Sequence, residues 1–179
     1  MRFSSSPSKV NDRGSFMIIV VMGVSGSGKT TIATMLAQAM NCQFLEGDSL
    51  HSKENIDKMN RGIPLTDADR APWLAAIHAR ILEAFERGVD LVVSCSALKH
   101  QYRTLLEKDV PVTWVYLKGS PALIRARLMK RPDHFMKADL LPSQFAALDE
   151  PTNALVVDAS AAPDAIVRQI LAQVPELPR

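Results

Sequence analysis

The stretch that decides the fold is Met17-Ile18-Ile19-Val20-Val21-Met22, then Gly23-Val24-Ser25-Gly26-Ser27-Gly28-Lys29-Thr30, then Thr31-Ile32-Ala33-Thr34-Met35-Leu36. Its first six residues are continuously apolar and rich in β-branched side chains, which suits a strand buried on both faces. Beyond Thr30, Ile32, Met35, Leu36, Ala39 and Met40 recur at helical spacing. Between strand and helix, the pattern G-x-x-x-x-G-K-S/T is matched at every specified position. Glycines let the backbone fold tightly enough for successive N–H groups to converge on phosphate oxygens. The helix amino terminus adds partial positive charge. Lys29 neutralises β- and γ-phosphates in such a loop, and the Thr30 hydroxyl can ligate Mg²⁺. Four specified positions coincide by chance in roughly one chain of this length in a hundred. Residues 23 to 30 are therefore read as a nucleoside triphosphate cradle.

Working outward, further short strand patterns occur at Gln43 to Glu46, Leu91 to Cys95, Val112 to Leu117 and Ala154 to Val157. Helical patterns separate them. One opens at Pro72, where a missing N–H costs nothing at a helix start, and carries Leu74, Ile77, Ile81, Leu82 and Phe85 to a stop at Gly88. Others fall at about 100–108, 120–130 and 162–173. This β-α alternation predicts an α/β fold, a five-stranded parallel sheet with helices on both faces and ligands at the carboxyl ends of the strands.

Composition bounds the alternatives. At 179 residues, with 47% hydrophobic and 22% charged, the chain fits one ordinary globular domain. It contains no apolar run long enough to span a membrane. Residues 1–15 are Ser-rich and basic, and the apolar stretch after them runs directly into the phosphate loop. A secretory signal is thereby disfavoured. They are read as a disordered tail, with Met17 as an alternative start and 16–179 as one domain. Cys42 and Cys95 form no metal or redox spacing, and read as buried free thiols in a reducing cytoplasm. The formal charge of +2 resides in the tail, leaving residues 16–179 neutral. Yet Arg125, Arg127, Lys130, Arg131 and Lys137 face one acid, Asp133, between positions 125 and 137. Neither the total nor the 6% aromatic content points to nucleic acid.

Several polar residues have positions that suggest chemistry. Asp48 follows the second strand, so it falls at the sheet's carboxyl edge across from the phosphate loop. There it can accept an acceptor hydroxyl's proton, hold a Mg²⁺-bound water, or cap a helix. His51, three residues on, can hydrogen-bond a substrate hydroxyl or serve structure alone. Arg70, Lys99 and Arg103 lie after strands or at helix starts, within reach of a cleft or on the solvated surface. Asp67 and Asp69 more readily orient Arg70 or start a helix than bind metal. Arg127 and Arg131, four apart, share a helix face that Pro132 ends.

The segment Gly47-Asp48-x-x-His51, Asn55, Lys58-Met59, Gly62, Pro64-Leu65, Asp67, Asp69-Arg70 and Pro72-Trp73-Leu74 resembles the gluconate kinases, small relatives of shikimate and nucleoside monophosphate kinases. The resemblance continues through Cys95-Ser96-Ala97-Leu98-Lys99, Tyr102-Arg103, Tyr116 to Gly119, His134-Phe135, Gln144-Phe145, Leu148, Glu150-Pro151 and Val156 to Asp158. It covers about residues 17 to 173. It implies a P-loop NTPase three-layer sandwich with a helical lid at about 125–148, and ATP-dependent phosphorylation of gluconate with Mg²⁺. On that reading Gly23 to Thr31 hold ATP, Arg127 packs near adenine, and Arg131 reaches the phosphates. Lys29, Asp48 and Arg131 carry catalysis. His51, Arg70, Lys99, Arg103 and His134 become substrate contacts, with Arg70 the foremost candidate for the carboxylate through a bidentate pair. The resemblance also implies a homodimer. The competing readings are a kinase for another small acceptor and a non-catalytic nucleotide-binding regulatory module.

Overall fold

A computed structural model describes residues 16–130 and 140–174. Its elements are β1 (Ile18–Met22), α1 (Lys29–Met40), β2 (Gln43–Glu46), a 3₁₀ turn (Gly47–Leu50), α2 (Lys53–Asn60), α3 (Asp67–Glu86) and β3 (Leu91–Ser94). They continue as α4 (His100–Leu106), β4 (Thr113–Lys118), α5 (Pro121–Met129), α6 (Leu141–Ala147), β5 (Leu155–Asp158) and α7 (Pro163–Gln173). The five strands pair in parallel in the order β2-β3-β1-β4-β5. β1 is central, with Val20 opposite both Val93 and Trp114.

Strand alternation divides the core into two layers. Ile18, Val20 and Met22 pack with Trp73, Ile77 and Ile81 of α3 and with Tyr102 and Leu106 of α4. Ile19 and Val21 pack with Ile32 and Leu36 of α1 and with Ile166 and Ile170 of α7. Each such aliphatic side chain contributes about 1.5–3 kcal/mol on burial. With both faces covered, β1 is buried at every position, which is why its sequence does not alternate. The carboxyl ends of β1, β2 and β3 then converge where the phosphate loop and the 3₁₀ turn begin.

Two expectations need correction. α3 starts at Asp67, not Pro72, because the Thr66 hydroxyl accepts from the Asp69 N–H (3.1 Å) while the Asp69 carboxylate accepts from the Thr66 N–H (2.9 Å). This reciprocal cap starts the helix ahead of the proline, leaving Pro72 inside it. Cys42 is only half-buried, whereas Cys95 is fully buried. Burial pushes their thiols up to about 11 and about 12, so neither is a thiolate at neutral pH. No helix among the described residues is long and apolar enough to cross a membrane.

Candidate active site

The phosphate loop leaves β1 at Gly23, whose φ of 145° belongs to glycine. A Cβ there would lie 2.9 Å from both Leu117 O and Ser27 Oγ. Gly28, at φ 101°, occupies the N-cap of α1 and delivers Lys29 and Thr30 to its first turn. Lys29 is buried, and its ammonium donates to Val24 O at 3.1 Å. Burial lowers its pKa, while Asp48 chiefly, then Cys95 and Glu46, oppose that shift. Bound phosphate would add to the opposing charge. Thr30, the next residue of that turn, is exposed.

Asp48 stands in the 3₁₀ turn directly after β2. Gly47 makes that approach feasible, since a Cβ there would fall 2.3 Å from Ser94 O. The Gly47 carbonyl accepts from Trp73 Nε1 at 2.8 Å. Asp48 is not the cap of this turn. Glu46 is: its carboxylate accepts from the Asp48 N–H (3.4 Å) and from the Ser94 hydroxyl. The sequence reading missed Glu46, the acid that closes the short strand Gln43-Phe44-Leu45-Glu46.

Ser25, Lys29, Asp48, His51, Arg70 and Trp73 line one cleft that opens to solvent. His51 stacks on Trp73, centroids 4.2 Å apart and planes 13° from parallel. Burial foremost, with Arg70 adding, pulls its pKa down to about 4, so it is neutral near pH 7. Asn55 Nδ2 lies 3.5 Å from His51 Nδ1 and donates to Asp69 O at 2.8 Å. Asp69 also takes Lys58 Nζ at 2.7 Å, and that bond, with those from Thr66, holds its carboxyl down at about 2. Asp69 thus ties α2 to the start of α3, and among the described residues no His/Cys/Asp/Glu group of three or more is clustered to hold a metal.

The remaining cations separate. Arg70 extends into the cleft and lies over the Tyr102 ring, 5.9 Å from its centroid. Lys99 is instead bound to Asp67 by two contacts of 2.7 and 2.9 Å and is not among the residues lining the cleft. Arg103 is buried, with Nη1 donating to Ala97 O and Leu98 O at 3.0 Å each. It holds the loop after β3, where Ala97 adopts φ 42°, and does not line the cleft. Arg127 joins Gly26, Ser27, Gly28 and Thr31 around a second concavity, donating to Ser27 O (3.3 Å) and Ala159 O (2.7 Å). Arg131, Pro132 and His134 lie outside the described residues. Gln144 of α6, absent from the sequence-based candidates, completes the first cleft beside Ser25.

A parallel sheet with a glycine loop, a buried lysine and a facing carboxylate at its carboxyl edge defines a P-loop small-molecule kinase. Comparison with known proteins narrows the class. A family described as an AAA domain matches residues 18–151. A gluconokinase of Gluconobacter oxydans is 45% identical over 157 residues, 86% of this chain and 88% of that protein. Solved structures agree. A gluconokinase from Sinorhizobium meliloti superposes with a TM-score of 0.79 at 45% identity, covering 87% of this chain and 90% of the other. An unliganded sugar kinase from a Janibacter species gives 0.82 at 43% identity, covering 88% and 94%. The chain belongs to the gluconokinase family.

Proposed function

We propose that this protein transfers the γ-phosphoryl group of ATP to the primary hydroxyl of D-gluconate, giving 6-phospho-D-gluconate and ADP. The observation that carries the reading is that one cleft is lined by Lys29 and Ser25 of the phosphate loop, by Asp48, and by the cation Arg70. A nucleotide, a proton acceptor and an anionic sugar acid each have their counterpart there.

On this reading the loop from Gly23 to Thr31 holds the triphosphate through backbone N–H groups, and Lys29 neutralises charge on the transferring group. Asp48 accepts a hydrogen bond from the acceptor hydroxyl and takes its proton as the new P–O bond forms. The bond between the γ-phosphorus and the β–γ bridging oxygen breaks, and ADP leaves. Arg70 pairs with the carboxylate. Neutral His51 exchanges hydrogen bonds with a chain hydroxyl, and Trp73 supports it. Arg127 flanks the adenine side, while Arg131 and His134 belong to a lid, expected within about 125–148, that excludes water.

The donor set suits Mg²⁺, which takes one or two protein oxygens and keeps water and phosphate ligands. The Thr30 hydroxyl would hold it, and Asp48 would hold one of its waters. When bound with ATP it supplies charge neutralisation to the phosphates. We also propose a cytoplasmic homodimer with residues 16–179 as one kinase domain. The free thiols and the family resemblance support that part. Phosphorus NMR of the product tests the regiochemistry. A phosphate monoester coupled to a methylene pair is expected, and one coupled to a single methine proton would refute transfer to the primary hydroxyl.

A further inference from the structure

The peptide unit between Val24 and Ser25 is held at both edges. Its carbonyl oxygen accepts from the Lys29 ammonium at 3.1 Å and from the Ser27 N–H at 3.2 Å. Its N–H, carried by Ser25, donates to Oε1 of Gln144 at 2.7 Å. Gln144 comes from α6, 119 residues along the chain, and both Ser25 and Gln144 are at least nine-tenths buried. Its helix is itself well anchored. Leu141 packs with Val24, Leu98, Ile124 and Leu128. Just beyond the helix, the Asp149 N–H donates to Leu98 O at 3.0 Å, and its carboxylate accepts from the His100 N–H at 2.9 Å.

We infer that Gln144 is a positioning residue for Lys29, acting through the Val24–Ser25 peptide. A peptide plane held only at its carbonyl edge can rock, and the ammonium bonded to that carbonyl follows it. Holding the N–H fixes the plane, and an acceptor on the N–H also strengthens the carbonyl as an acceptor. Catalysis by a point charge is sensitive to its position, so a displacement of about 1 Å can cost on the order of a hundredfold in rate. Nothing in the local sequence of the phosphate loop supplies this restraint. It is delivered by a helix that follows the 131–139 segment.

The inference rests on the kinase reading, but its test does not depend on the acceptor. Gln144→Met keeps the side-chain length and removes the acceptor. Gln144→Asn stays polar and is one methylene too short to reach. Both are compared with the wild type for gluconate-dependent turnover, for slow acceptor-independent ATP hydrolysis, and for thermal midpoint. Because Lys29 serves both reactions, each variant is expected to lose about tenfold in both rates, with gluconate KM within about twofold and folding retained. A fall in transfer alone, a rise in gluconate KM alone, or unchanged rates would overturn the inference. If gluconate proves not to be the acceptor, the hydrolysis rate still decides this point, so the two failures are distinguishable.

Discussion

The imidazole of His51 lies flat on the indole of Trp73, 4.2 Å between centroids, and Trp73 is itself pinned by its hydrogen bond to Gly47 O. One aromatic pair thus links the turn carrying Asp48 to α3, the helix carrying Arg70. The cleft's acid and its cation are held in one packed unit.

That stack gives a pH signature. His51 has its pKa depressed from about 6.5 to about 4, so the unfolded chain binds more protons in between. Stability is therefore full above about pH 6.5 and lost as pH falls toward 4. Asp67 and Asp69, held at about 2, lose their contribution lower, below the unfolded carboxylate range. His51→Phe keeps a stacked ring and cannot titrate, so its thermal midpoint is expected to fall less between pH 6.5 and 4 than the wild type's. Parallel curves would remove His51 from that acid sensitivity.

Asp48→Asn should reduce turnover by about 10²–10⁴-fold, the range for a lost general base. ATP binding, measured by calorimetry, should stay within a few-fold. Undiminished turnover would exclude Asp48 from proton transfer.

Arg70→Lys retains the charge but not the bidentate fork. Gluconate KM is expected to rise about tenfold or more, with ATP KM unchanged, since hydrogen bonds to charged groups contribute about 1.5–3 kcal/mol. Equal KM values for variant and wild type would assign the carboxylate to another group.

Arg103→Leu tests the division between cations. Two buried charge-assisted bonds to Ala97 O and Leu98 O are lost, so the thermal midpoint should drop by several degrees at about 2–4 °C per kcal/mol. Gluconate KM should move less than in Arg70→Lys. A stable protein with a large KM defect would restore Arg103 as a substrate contact.

Much of this molecule was legible before its structure. The phosphate loop is a local device whose glycines, lysine and flanking periodicity all lie within twenty residues, and β1 announced its double burial by not alternating. Asp48 was legible from its place beside a strand end, while Arg70 was set apart only by the family resemblance, and both line the cleft. Depth was not legible in the same way. Arg70, Lys99 and Arg103 look alike as cations near element ends, yet one faces the cleft, one is tied to Asp67 and one is buried beneath a loop. The helix start read at Pro72 fell too late because the reciprocal Thr66–Asp69 cap lies ahead of that proline. Glu46 and Gln144 act through contacts 48 and 119 residues distant, which no local pattern encodes.

The most direct measurement is ADP release by purified protein with Mg-ATP, run in parallel with gluconate, shikimate, AMP and no acceptor. Rapid, saturable release with gluconate and only background release otherwise is the predicted result. Turnover with shikimate or AMP but not gluconate, or no turnover with any acceptor despite ATP binding, would contradict the account.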